Sequence, residues 1–142
     1  MTFVVHFHIE GTPVPKKRPR FSTQGGIVRS YTDKGTRNYE DHVNLSSRAA
    51  MGSTEPLETP VGVYLYVRLP VPKSRSKKRT EAALQGLEKP ICKPDIDNLA
   101  KSLLDGMNGV VFKDDSQIVS LHVTKVYASV PGVDIMVKEE LE

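Results

Sequence analysis

Val61-Gly-Val-Tyr-Leu-Tyr-Val-Arg-Leu69 alternates with a period of two: Val61, Val63, Leu65, Val67 and Leu69 share one face, and Tyr64, Tyr66 and Arg68 the other. Only an extended chain puts every second side chain on the same side, so this run is a strand with one face in a core. Upstream, residues 2–10 repeat the pattern, with Phe3, Val5, Phe7 and Ile9 set against Val4, His6, His8 and Glu10. Downstream the period changes. Leu99, Ala100, Leu103, Leu104 and Met107 recur at three-and-four spacing and predict a helix over 97–107. Residues 117–127 and 132–137 read as further strands, and 36–51 as a helix with Tyr39, Val43 and Ala50 on one face and Gly52 as its stop. A short helix over 76–84 ends before Gly86, and Gln24-Gly25-Gly26 reads as a turn before a short returning strand of Ile27, Val28 and Tyr31. Strands and helices interleave, which predicts an α/β (α+β) fold: a mixed β-sheet of about four or five strands covered by about three helices, with residues 1–142 as one small domain.

The chain has 142 residues, 38% of them hydrophobic, with no apolar run near the ~18 residues a spanning helix needs. Its N-terminus lacks a basic n-region and alternates like a strand, so we expect no signal peptide, no membrane association and a cytoplasmic location. The single cysteine, Cys92, can form neither an internal disulfide nor a thiolate zinc cage, and reads as a small packed hydrophobe. His6, His8 and His122 read as solvated side chains rather than ligands.

Charge is divided unevenly. The net charge is +3, yet of the 20 Lys and Arg, seven lie between Pro13 and Arg37 (Lys16, Lys17, Arg18, Arg20, Arg29, Lys34, Arg37) against one acid, Asp33. Six more (Arg68, Lys73, Arg75, Lys77, Lys78, Arg79) run from the end of the central strand to Arg79 with no acid among them. Either run alone reads as a solvated face; two such runs on proline-rich segments suit the phosphates of DNA, which Lys and Arg contact irrespective of sequence. The expected DNA contacts are Lys16, Lys17, Arg18, Arg20, Lys73, Arg75, Lys77, Lys78 and Arg79. Phe21 and Tyr31 read either as stacking platforms for exposed bases or as packing residues.

The carboxylates gather elsewhere. In Lys93-Pro-Asp-Ile-Asp-Asn-Leu-Ala-Lys101, Asp97 stands where an N-cap is wanted, and an extended Asp95 would project to the same side. A second pair, Asp114 and Asp115, returns after the helix. Each pair alone reads as cap and turn chemistry. Together, without thiolates, they read as an all-oxygen site for a hard cation such as Mg²⁺. An EF-hand loop starting at Asp95 is excluded, since it would need an oxygen ligand at Leu99, glycine at Ala100 and glutamate at Gly106. A sugar-nucleotide Asp-x-Asp site lacks its strand-loop-helix unit, and a small-phosphate enzyme would leave the basic runs without a purpose. Lys101, one turn after Asp97, reads either as a helix ion pair or as a cation that neutralises charge on a phosphate. Asp105 extends that face, and Asn98 reads as a cap or as an orienting group.

Three blocks carry a resemblance: Gly11-Thr-Pro-Val-Pro-Lys-Lys-Arg-Pro-Arg-Phe21, Ser74-Arg-Ser-Lys-Lys-Arg79, and Lys93-Pro-Asp-Ile-Asp-Asn-Leu-Ala-Lys-Ser-Leu-Leu-Asp-Gly-Met-Asn-Gly109 running on to Lys113-Asp-Asp-Ser-Gln-Ile-Val119. In order and spacing the chain resembles the RusA-type Holliday junction endodeoxyribonucleases often found in prophages. The resemblance implies that Asp95, Asp97 and Asp115 hold Mg²⁺, with Mn²⁺ able to substitute, that Asp114 is a neighbouring candidate ligand, and that Lys101 is a catalytic lysine. It also implies a homodimer without nucleotide cofactor that nicks four-way junctions and related branched DNA symmetrically, in recombination and repair, in a bacterial or phage-infected cell. The competing expectation is a non-catalytic basic DNA-binding protein whose aspartates only cap and turn.

Overall fold

A computed structural model describes every residue except Met1, Pro19 and Thr32, and leaves the side chains of Arg20 and Gln24 undescribed. The elements in chain order are β1 (Val4–Glu10), β2 (Arg20–Gln24), β3 (Ile27–Tyr31), α1 (Lys34–Met51), β4 (Val61–Pro70), α2 (Lys77–Leu84), α3 (Ile96–Met107), a 3₁₀ turn (Asp115–Gln117), β5 (Ile118–Ala128) and β6 (Gly132–Glu139). Four strands form one sheet in the order β1-β6-β4-β5, and β2 and β3 form a separate two-stranded ribbon. Pairing is antiparallel except between β4 and β5, which run parallel. A parallel pair needs a crossover, and the chain between β4 and β5 provides it, carrying α2 and α3 along the way.

The alternation of the central strand is realised as expected: Val61, Val63, Leu65, Val67 and Leu69 are buried, and Tyr66 on the other face is exposed. Val133, Ile135 and Val137 of β6 join the same layer, and Leu99, Leu103 and Met107 of α3 close over it. The helix α1 buries Thr36, Tyr39, Val43, Ser47 and Met51. Ala50, expected on that face, is exposed. The stripe is centred on two hydroxyl residues, Thr36 and Ser47, so the apolar positions alone misplace its axis. The expected strand boundaries and the stop at Gly52 hold to within a few residues. No described helix is long and apolar enough to cross a membrane.

One close approach sets the distance between α1 and α3. A Cβ on Gly106 would lie 2.6 Å from the Cβ of Val43 and 3.0 Å from the carbonyl oxygen of Glu40. Asn44 Nδ2 donates to the Gly106 carbonyl at 3.2 Å across the same contact. Gly106→Ala is therefore expected to lower the unfolding free energy by about 1–3 kcal/mol through overpacking, although alanine is the better helix former by about 1 kcal/mol. A urea titration checks this, and a variant more stable than the parent would show that the two helices separate freely.

Candidate functional site

The N-cap of α3 falls two residues before the expected one. Asp95, not Asp97, is the N-cap residue: its backbone is extended, and its carbonyl accepts the first helical bond from Leu99 N–H at 3.1 Å. Ile96 is already helical, so Asp97 lies in the first turn, and Asp95 makes no side-chain capping bond. Both carboxylates are exposed and, among the described residues, take part in no hydrogen bond or ion pair. They sit at the positive end of the helix dipole, which favours their charge. With Lys16, Lys17, Arg18 and Lys93 they line an open cleft of about 720 Å³.

The basic wall of this cleft is a proline-rich segment that cannot join a β-ladder, because each proline lacks an N–H. Its backbone is held by the helices instead. Lys16 N–H donates to the Asn98 carbonyl at 2.8 Å, and Ser102 Oγ donates to the Val14 carbonyl at 2.7 Å. Thr36 Oγ1 donates to the Pro15 carbonyl at 3.3 Å. Ser102 and Thr36 are fully buried, so these bonds clamp the segment between α1 and α3. The role left open for Asn98 thus falls partly to its backbone carbonyl.

Clamping separates three residues that look alike in sequence. Lys16 turns inward, its ammonium 2.6 Å from Glu40 and 3.2 Å from Asp105. Burial works against its charge, but the bonds it donates to Glu40 and Asp105 outweigh that and raise its pKa above the ordinary lysine value. The Lys17 side chain stays 61% exposed, its ammonium 3.8 Å from Asp33, and Arg18 is exposed. Asp105 also reaches Lys101, at 3.0 Å, and Lys101 lies 3.8 Å from Asp115. The result is a chain of alternating charges, Glu40, Lys16, Asp105, Lys101 and Asp115, drawn from α1, the basic segment, α3 and the turn before β5. The hydrogen bond that Lys101 donates to Asp105 raises the pKa of Lys101, which is a cation throughout the neutral range.

Asp114 and Asp115 play different parts. Asp114 caps the 3₁₀ turn: its carboxylate accepts from Ser116 N–H at 3.1 Å and from the Ser116 hydroxyl, which holds its pKa low. Gln117 closes the box by accepting from Asp114 N–H at 2.9 Å, while its amide donates to the Leu57 and Thr59 carbonyls at 2.8 and 2.9 Å. Asp115 is left half-exposed beside Lys101. Among the described residues no three His, Cys, Asp or Glu side chains converge to hold one ion. Asp95 and Asp97 line the cleft, whereas Asp115 pairs with Lys101 and lines a separate hollow beside Leu104 and Ile118. Two unpartnered carboxylates, with no nitrogen or sulfur donor, fit the demand of Mg²⁺ for one or two carboxylates and several waters rather than a cage built wholly by protein.

The second basic run divides in the same way. Arg75 lies over the Tyr127 ring at 4.7 Å, donates to its hydroxyl at 2.9 Å and pairs with Glu88 at 2.9 Å, so it is bound into the structure. Arg79 also pairs with Glu88, at 2.5 Å. Lys73, Lys77 and Lys78 are exposed and, among the described residues, unpaired. The side chain of Arg20 lies outside the described residues. Cys92, expected inside, is exposed because it sits in the loop before α3, its sulfur 3.8 Å from the Tyr127 hydroxyl. Sequence reading missed Lys125, which donates to the Cys92 and Pro94 carbonyls at 2.9 and 3.0 Å and fixes the loop that delivers Asp95. Its signal was present, since Val123, Lys125 and Tyr127 alternate onto the helix-covered face of β5. His122 stacks on Tyr64 at 4.7 Å on the opposite sheet face and takes no part in the cleft.

The model of the family described as Endodeoxyribonuclease RusA matches residues 10–138. The chain is 38% identical over 138 residues to YqaN of Bacillus subtilis (strain 168), a protein described as uncharacterized, covering 95% of this chain and 96% of that one. It is 27% identical over 143 residues to the crossover junction endodeoxyribonuclease rusA of Lactococcus phage r1t, covering 98% and 99% of the two chains. With the match running from the end of β1 to β6 and taking in the whole cleft, this chain belongs to the RusA family of endodeoxyribonucleases.

Proposed function

We propose that the protein resolves four-way junctions and related branched DNA by paired, symmetric nicks during recombination and repair. The observation that carries this reading is the placing of two unpartnered carboxylates, Asp95 and Asp97, in a cleft walled by Lys16, Lys17, Arg18 and Lys93. A polyanion can approach an anionic centre only where cations offset the repulsion, and here the two meet within one cleft. Asp95 and Asp97 would hold Mg²⁺, with Mn²⁺ as a substitute, and Asp115 would complete the acidic set beside Lys101. The chemistry a bound Mg²⁺ supplies is polarisation of the phosphate and activation of water.

The chain's own groups do the rest. Lys17 and Arg18 hold the backbone, and Lys101, fixed by Asp105 and Asp115, offsets the charge that grows on the phosphate as water adds and the P–O3′ bond breaks. The leaving oxygen takes up a proton, giving a 3′-hydroxyl and a 5′-phosphate that a ligase can rejoin. Two cuts across one junction call for two sites related by a two-fold axis, which a homodimer supplies.

A gel with a labelled four-way junction and a linear duplex of equal length, each with Mg²⁺, Mn²⁺ or EDTA, tests this. Paired nicks are expected on the junction alone and only with metal. Salt-sensitive binding with no product under any condition would leave a DNA-binding protein and no enzyme.

A further inference from the structure

We propose that the β2–β3 ribbon recognises the branch point, with Phe21 stacking on base faces left open where the DNA arms meet. This inference rests on the DNA-cleaving function proposed above and names the surface that would make it selective.

The ribbon pairs with no other strand among the described residues. Gly25 and Gly26 both take positive φ, 61° and 79°, which allows a tight two-residue hairpin turn. The register puts Phe21 opposite Ser30 and Thr23 opposite Val28, so one face carries Phe21, Thr23, Val28 and Ser30. Phe21 is 71% exposed and Val28 66%, which removes the alternative of Phe21 as a packing residue. Tyr31 and Ile27 stand exposed on the reverse face with Arg29. One face of a ribbon with two five-residue strands is far smaller than the roughly 800 Å² per partner of a stable protein interface.

Charge identifies the occupant. Exposed Lys17 and Arg18 precede the ribbon, Arg29 lies within it, and exposed Lys34 and Arg37 follow, with Asp33 the one acid from Pro13 to Arg37. In sequence the ribbon begins at Arg20, two residues after Arg18 of the cleft wall, so DNA held near Asp95 and Asp97 would be within its reach. The Phe21 face offers only hydroxyls for hydrogen bonding and so is poorly equipped to read base edges, which discriminate through paired donors and acceptors. A ring face needs another ring face, and a duplex exposes these only where stacking is interrupted.

The test uses the full chain in EDTA, a junction carrying 2-aminopurine at its centre, and a duplex of equal length. Phe21→Leu keeps an apolar side chain and is expected to cut the preference for junction over duplex by roughly 5- to 100-fold, the value of one base stack. It should also abolish the 2-aminopurine signal and leave duplex affinity within about twofold. Phe21→Tyr should behave like the parent. Unchanged preference and signal in Phe21→Leu would overturn the inference, as would equal losses in both variants. Conversion of a dimer to a monomer by Phe21→Leu would overturn it too, by showing that a second copy covers the ribbon. A parent chain that neither prefers nor cuts the junction would instead remove the proposed function itself, a result distinct from normal cutting with Phe21→Leu unaffected.

Discussion

Replacing Asp97 by Asn is expected to abolish junction cleavage, by a factor of about 10³ or more, and to leave junction binding unchanged or tighter. The size follows from the several kcal/mol that a metal-bound centre contributes to the transition state, since each 1.4 kcal/mol is tenfold in rate. The direction of the binding effect follows from the cleft: among the described residues Asp97 has no ion pair of its own, so removing its charge would relieve repulsion toward the phosphates of DNA held there. Because Asp97 is exposed in the first turn of α3, the fold has little stake in it, and the melting temperature should move by no more than about a degree or two. Binding in EDTA and cleavage in Mg²⁺ separate the two effects. If Asp97→Asn lost binding as severely as cutting, the division between cationic walls and acidic centre would be wrong.

Lys101→Gln is expected to lower the cleavage rate by about 10²–10³, the cost of removing one fixed positive group from a developing charge. Junction affinity should change by only a few-fold, because Lys101 is held by Asp105 and Asp115 rather than spread along the backbone track. Lys16→Met makes the contrast. It leaves Glu40 and Asp105 without their shared cation in a partly buried setting and should cost about 1–3 kcal/mol of stability. Lys17→Gln and Arg18→Gln should instead weaken binding to every DNA about equally and flatten its salt dependence by about one unit each. Single-turnover rates, denaturation curves and salt titrations read these roles separately. A Lys101→Gln variant that cut at the parental rate would reduce that lysine to an ordinary helix ion pair.

The strand at Val61–Leu69 and the helix through Leu99, Leu103 and Met107 could be read from the sequence because side-chain period depends on local backbone geometry alone. The Asp95 and Asp97 pair was legible for the same reason: two residues at the mouth of a helix stay together whatever the rest of the chain does. The order β1-β6-β4-β5 was not, since alternation says which face of a strand is buried and nothing about which strand lies beside it. Capping was misread by two residues because Asp95 and Asp97 are both good caps, and the choice falls to where the first helical bond closes.

Among the charges the division is the same. The placing of charge along the sequence marks two basic runs and an acidic cluster, and together these make a polyanion the expected partner. In sequence Lys16, Lys17 and Arg18 carry the same charge side by side, as do Arg75 and Lys77, and Asp114 and Asp115. Glu40 and Asp105 draw Lys16 inward because α1 and α3 meet closely at Gly106, Tyr127 and Glu88 draw in Arg75, and Ser116 engages Asp114 while leaving Asp115 to Lys101. Which charges stay free for DNA is thus set by contacts under 4 Å between residues distant in the chain, and no local pattern encodes those.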